Sequence, residues 1–280
     1  MEVKIAKYAG YCFGVKRAIE MSEQNLSEIG KDIFTLGQII HNPGVVEELD
    51  KKGIHSVRSK QDIPSGSTVV IRSHGVPPST IESLRQKNIH IIDATCPYVK
   101  TAQKKAVSLS SEGYFVVLVG TRDHPEVIGI KEQLPPDRIM VAEKIEDLNA
   151  VKKKKRIGLL IQTTQTLKKL KSMVDKVLDS AKELKIINTI CNTTTQRQNE
   201  AVSLAGKVDV MLVVGGKNSA NTTHLAHISK EVNKKTYHIQ DCTEIDHKWF
   251  LNVSKVGITG GASTPYTDIV AVKDYLEALR

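Results

Sequence analysis

The chain has 280 residues, a net charge of +9, 40% apolar residues and only 4% aromatics. It holds enough apolar material for two or three small domains or one large one, which excludes a disordered chain, and the scarcity of rings argues against a surface that stacks single-stranded nucleic acid. No apolar stretch approaches the roughly 20 residues that span a bilayer. The N-terminal "MEVKIAKYAG" lacks an apolar h-region, so the expectation is no signal peptide, no membrane and a cytoplasmic protein.

In chain order, the run "VKIAKYAGY" leads to Cys12, and the helix-like "FGVKRAIEMSEQ" follows. The strand "DIFTLG" opens into the polar loop "QIIHNP" with His41, and "TVVIRSHG" brings a second strand to His74. The run "IHIIDAT" then reaches Cys96, followed by "PYVKTAQKKAVSLS" with Pro97 in the first turn, where a missing N–H costs nothing. The strand "YFVVLVG" precedes "TRDHPEV", which carries His124 and Glu126. The basic run "VKKKKR" reads most simply as a solvated turn before "RIGLLIQTT", a strand ending in Thr163 and Thr164; "TLKKLKSMVDKVL" is the helix after it. Finally "IINTI" reaches Cys191, and "NTTTQRQNEAVSLA" supplies Asn192 and three threonines as capping groups. The strand "VDVMLVVG", the loop "GKNSANTTH" with Ser219 and Asn221, and the strand "KVGITGGAS" ending at Ser263 complete the series.

The pattern repeats. The cysteine intervals are 84 and 95 residues, and the strand-ending Gly37, Gly120 and Gly215 follow their cysteines by 25, 24 and 24. The spacing predicts three similar α/β units, residues 1–95, 96–190 and 191–280, with mainly parallel sheets. Arranged about a pseudo-threefold axis, they would bring the cysteines and the polar loops to a central cofactor site. In open parallel sheets, ligands bind beyond the carboxyl ends of the strands, where every polar cluster above lies.

Three thiols from distant places suit zinc or an iron–sulfur cluster, and spacing alone does not choose between them. If three thiolates held a four-iron cluster, one iron would be open to substrate. Cys242 has no counterpart in the repeat and reads as an ordinary small residue. His41, His74 and His124, each alone more simply a structural histidine, form a binding set with Ser219, Asn221 and Ser263. Such hydroxyls, amides and imidazoles cradle a phosphate or diphosphate, with protonated histidines supplying most of the attraction. Glu126 is either a solvated loop carboxylate or a proton carrier in a closed pocket. Thr163 and Thr164 either relay that proton or, as is at least equally fitting for Thr164, cap the following helix.

The ordered motifs "GYCFGVKRAIE", "TLGQIIHNP", "RSHGVP", "DATCPYV", "HPEVIG", "QTTQT", "TICNTTTQRQ", "KNSANT" and "GASTP" resemble the 4-hydroxy-3-methylbut-2-enyl diphosphate reductase family, from about residue 10 to residue 265. The resemblance implies three α/β domains around a [4Fe-4S] cluster with Cys12, Cys96 and Cys191 as ligands. It implies an allylic alcohol diphosphate as substrate, its hydroxyl meeting the iron without a thiolate, and loss of that oxygen as water with two electrons and two protons. The products would be isopentenyl and dimethylallyl diphosphate. His41, His74, His124, Ser219, Asn221 and Ser263 match the diphosphate pocket, and Glu126, Thr163 and His124 the catalytic set. One departure stands in the third unit, where "NSAN" has Ala220 in place of the family's serine.

Two other classes are weighed beside this one. An iron–sulfur hydro-lyase on a small hydroxy acid would work without reductant and would carry an arginine-rich carboxylate pocket. A basic nucleic-acid protein would need a recognisable motif and a basic stripe, and neither is found. The expected electron donor is a small acidic ferredoxin or flavodoxin, which the net charge of +9 suits.

Overall fold

Short β-branched runs become strands and the segments between them helices, as a computed structural model shows for every residue except His41, Asn218 and Arg280 and the side chain of Ala220. The first third comprises β1 (Glu2–Ile5), α1 (Phe13–Ile29), β2 (Ile33–Leu36), α2 (Pro43–Lys52), β3 (Ile54–Val57), β4 (Thr68–Ile71), α3 (Pro78–Gln86) and β5 (His90–Asp93). Next come α4 (Pro97–Ser111), β6 (Phe115–Val119), α5 (Pro125–Lys131), β7 (Ile139–Ala142), β8 (Arg156–Ile161), α6 (Leu167–Leu178) and β9 (Glu183–Ile187). The chain closes with α7 (Asn192–Ala205), β10 (Val210–Val214), α8 (Ala220–Val232), β11 (Thr236–Ile239), β12 (Lys255–Gly260) and α9 (Tyr266–Ala278).

The strands form three four-stranded sheets ordered β3-β2-β4-β5, β7-β6-β8-β9 and β11-β10-β12-β1. Every pair is parallel, with Phe34 beside Val69, Leu118 beside Leu160 and Leu212 beside Ile258 across the central pairs. The α/β, parallel-sheet class expected from the sequence is therefore present. The sheets share one plan, in which the direction of chain travel reverses between two central strands: β2 and β4, β6 and β8, β10 and β12. The fourth place is always taken by a strand that leads towards a cysteine. The sheets thus run one strand out of step with the cysteine intervals: β5 and β9 pair with strands before them in sequence, and β1 pairs with β12.

Helices cover the sheet faces because the central strands are apolar on both sides. Val116–Val119 and Val210–Val214 are wholly buried. In the β6–β9 sheet, Ala102, Ala106 and Leu109 of α4 pack with Val116, Leu118 and Leu160 on one face. Leu170, Met173 and Val177 of α6 meet Val117, Leu159 and Ile161 on the other. Gly158 permits the close approach of α4, since a Cβ there would lie 2.9 Å from Leu109 Cδ2. Around β10–β12, Ile269, Val272 and Leu276 of α9 cover one face, and Ala201, Leu204 and Ala205 of α7 the other.

The chain divides into two compact units. The first comprises Met1–Ile19, Gln38–Lys52 and Thr195–Arg280 and holds the sheet of β1 and β10–β12; the second comprises Glu20–Gly37 and Gly53–Thr194 and holds the other two sheets. Among the described residues no helix is long and apolar enough to cross a membrane.

Candidate active site

In the second unit, β6 ends at Val119 and the chain turns to His124, the N-cap of α5, whose Nδ1 accepts the Glu126 backbone N–H at 3.2 Å. Pro125 follows at the first helical position, where its fixed φ suits the helix. This start places Glu126 in the first turn with 1% of its surface exposed. Thr163, just past β8, donates its backbone N–H to Oε1 and its hydroxyl to Oε2, each at 2.7 Å. Burial pushes the Glu126 carboxyl from 4.5 up to about 7, and the two Thr163 bonds oppose the rise without cancelling it. A carboxyl poised there can both hold and release a proton at neutral pH.

His74 follows β4, and its ring stands edge-on to that of His124, with centroids 5.2 Å apart and planes at 89°. Because His124 Nδ1 accepts a backbone N–H, its other nitrogen carries the ring proton. A second ring proton on His124 would have to displace the Glu126 N–H bond.

Thr164 does not cap α6, one of the two roles that the sequence left open to it. Thr166 takes that place, accepting from Lys169 N at 3.1 Å, while Thr164 Oγ1 accepts from Gln162 Nε2 at 2.9 Å. Gln162 itself was not singled out. It is 2% exposed, and its Oε1 also accepts from Thr121 N at 3.1 Å. One amide, donor and acceptor at once, thus ties the His124–Glu126 loop to the Thr163 loop. A cavity of about 590 Å3 in this unit is lined by Thr95, Lys100 and Gln103 among others, and its lining includes none of the predicted site residues.

Each of Cys12, Cys96 and Cys191 directly precedes a helix, respectively α1, α4 and α7. Their carbonyls or sulfurs accept the first helical amides: Val15 N lies 3.5 Å from Cys12 Sγ, and Thr194 N 3.3 Å from Cys191 Sγ. The Thr194 and Thr193 hydroxyls stand 2.8 and 3.2 Å from the Cys191 sulfur. Lys100 N donates to Cys96 O at 3.0 Å. None of the four cysteines, all among the described residues, forms a disulfide. Each cysteine thus stands at the N-terminus of a helix, where the positive end of the helix dipole suits a soft, anionic metal ligand. Among the described residues no group of three His, Cys, Asp or Glu side chains stands ready to hold a metal ion.

In the first unit, Ser219 caps α8 and is 3% exposed, and Asn221 lies in the first turn of that helix. Ser263 sits half-buried in the turn between β12 and α9. That turn is braced by Thr264 Oγ1 and Gly261 N, both donating to Val214 O, at 2.9 and 3.1 Å. Cys12 N donates to Ala262 O at 3.1 Å, so the loop of this cysteine is fastened to the turn that carries Ser263. Arg197, another residue the sequence did not mark, is 5% exposed and donates to Gly260 O at 2.8 Å. His41 lies outside the described residues.

Every described residue of the predicted binding set follows one of the central strands at which chain direction reverses. Parallel α/β sheets with polar side chains past the ends of these strands, where such folds bind their ligands, define the class of an α/β enzyme. A family model described as LytB protein matches residues 3–277, and the chain belongs to that family. It is 46% identical to the 4-hydroxy-3-methylbut-2-enyl diphosphate reductase of Aquifex aeolicus, over 100% of this chain and 97% of that protein. It is 43% identical to the reductase of the same name from Citrifermentans bemidjiense, over 100% of this chain and 98% of that protein. A solved structure of (E)-4-hydroxy-3-methyl-but-2-enyl diphosphate reductase, described as the terminal enzyme of the non-mevalonate pathway, matches with a TM-score of 0.78 at 46% identity, over 99% of this chain and all of that one. The E-1-hydroxy-2-methyl-but-2-enyl-4-diphosphate reductase of Plasmodium falciparum matches with a TM-score of 0.90 at 28% identity, over 99% of this chain and 87% of that one.

Proposed function

We propose that the protein removes the hydroxyl of (E)-4-hydroxy-3-methylbut-2-enyl diphosphate by reduction, giving isopentenyl and dimethylallyl diphosphate and water from two electrons and two protons. The observation that carries this reading is Glu126, buried and gripped on both oxygens by Thr163, with its carboxyl raised to about 7. Breaking an allylic C–O bond needs an acid that keeps its proton until the oxygen leaves. The Thr163 hydroxyl, which donates to the carboxylate, can turn to accept from the carboxylic acid and pass its own proton onward. Names carried by the relatives support the substrate class.

His41, His74, His124, Ser219, Asn221 and Ser263 are assigned to the diphosphate, as donors to its oxygens. Binding at that remote group holds the alcohol end in place for the chemistry. Cys12, Cys96 and Cys191 would hold a [4Fe-4S] cluster, since each is a free cysteine directly before a helix N-terminus. When bound, such a cluster supplies electrons at low potential and an iron open to the substrate's oxygen. The electrons would come from an acidic ferredoxin or flavodoxin, drawn by the +9 charge, and the protein is assigned to the cytoplasm with no nucleic-acid partner.

The test is anaerobic purification, iron and sulfide analysis, and electron paramagnetic resonance with and without the allylic diphosphate. A four-iron signal that changes on adding substrate, with reductant-dependent turnover, is expected. A metal-free or zinc-only protein with no substrate effect would overturn the reading, and turnover without reductant would favour a hydro-lyase.

A further inference from the structure

We propose that Thr222 is a positioning residue that fixes the Ser219 hydroxyl as a hydrogen-bond donor to the diphosphate. The inference rests on the reading above that Ser219 faces that group. Ser219 Oγ accepts from Thr222 Oγ1 at 3.0 Å and from Thr222 N at 3.4 Å. A hydroxyl has two acceptor sites and one proton. With both acceptor sites filled by one residue, the proton of Ser219 is left pointing away from Thr222. Among the described residues nothing accepts it.

Thr222 has little freedom to do otherwise. It is fully buried and lies between two glycines. A Cβ on Gly215 would stand 3.2 Å from both Thr222 Oγ1 and Cγ2, and one on Gly261 would fall on the Thr222 hydroxyl itself. The two glycines therefore leave a slot of threonine shape, and the slot aims the Thr222 hydroxyl at Ser219.

The polarity matters because a diphosphate offers only acceptor oxygens, so a serine is useful to it only as a donor. A serine free to rotate would spend part of its time with the proton turned inward. The replacement of the family's serine by Ala220 raises the dependence on the neighbouring hydroxyl.

The experiment compares anaerobically prepared holoenzymes: wild type, Thr222→Val, Thr222→Ser, Ser219→Ala and the double variant Ser219→Ala/Thr222→Val. The readings are kcat and KM for the allylic diphosphate and the inhibition constant of inorganic diphosphate. Thr222→Val is expected to raise KM and the inhibition constant about 3- to 10-fold, with kcat within about twofold of wild type. Thr222→Ser restores both constants, and the double variant binds no worse than Ser219→Ala alone. Where Thr222→Val does not accumulate as folded protein, Thr222→Ala against Thr222→Ser makes the same comparison. Unchanged constants in Thr222→Val, a serine variant as weak as the valine one, or additive losses in the double variant would each overturn the proposal while leaving the diphosphate reading of Ser219 intact. Unchanged binding in Ser219→Ala would sink that reading, and the role of Thr222 with it.

Discussion

At the scale of the residue, Glu126 has consequences for both turnover and stability. Its carboxyl, raised to about 7 by burial, must be protonated to act as an acid. We therefore expect kcat/KM to fall as pH rises through about 7, and Glu126→Gln to lose turnover by about 100-fold or more while still binding substrate. A variant with near-normal steady-state reduction would remove Glu126 from the proton path. The same shift acts on folding. The folded chain holds this proton more tightly than the unfolded chain, whose carboxyl titrates near 4.5. Between those values the folded state binds more protons, so raising the pH costs stability. Glutamine carries no such cost and can still accept from Thr163 N. Denaturation at pH 5 and pH 8 is expected to show Glu126→Gln gaining on wild type by up to about 3 kcal/mol at the higher pH. A constant difference across that range would mean that the group is not raised in the folded state.

At the scale of the element, Thr166 and Ser219 are both helix caps, but only Ser219 is assigned to the proposed diphosphate site. Thr166 holds the first turn of α6. Thr166→Ala is expected to lower thermal stability by about 1 kcal/mol with kcat and KM unchanged. A changed KM there would link α6 to substrate. The elements also show what the sequence carried. The cysteine-to-helix junctions were legible because Pro97 and the threonines after Cys191 are local signals of a helix start. The central strands were legible because a parallel strand covered on both faces, such as "VMLVV", has no polar position. The strands β3, β7 and β11 left little trace, each being four residues long and only part-buried. The partners of β1 were hidden for another reason: pairing across the length of the chain leaves no mark in local pattern. In the candidate site, charged and nucleophilic side chains were visible by type, whereas Gln162, Arg197 and Thr222 act through hydrogen bonds that only the folded backbone brings together.

At the scale of the whole molecule, the charge of +9 is a property of the surface. Lys152, Lys153, Lys154 and Lys155 are all exposed. If they draw an acidic electron donor, replacing them with glutamine is expected to slow reduction by flavodoxin about 10-fold at low ionic strength and to have little effect at high salt. Stopped-flow rates at several salt concentrations would show it. Rates independent of both the lysines and the salt would place docking elsewhere.

The sheet that joins β1 to β12 also bears on how the chain comes to be folded. Synthesis makes β1 before the strands of the other two sheets, yet among the described residues its ladder partners, Lys255 to Ile258, come after all of them. The β2–β5 and β6–β9 sheets are contiguous in sequence and can close while synthesis continues, but the third must wait for β12. Glu2 and Lys4 point outward from β1, and such charges keep a waiting strand from pairing with the wrong neighbour. A strand made well before its partner thus finds its place late, and the nascent chain carries its own guard for the interval.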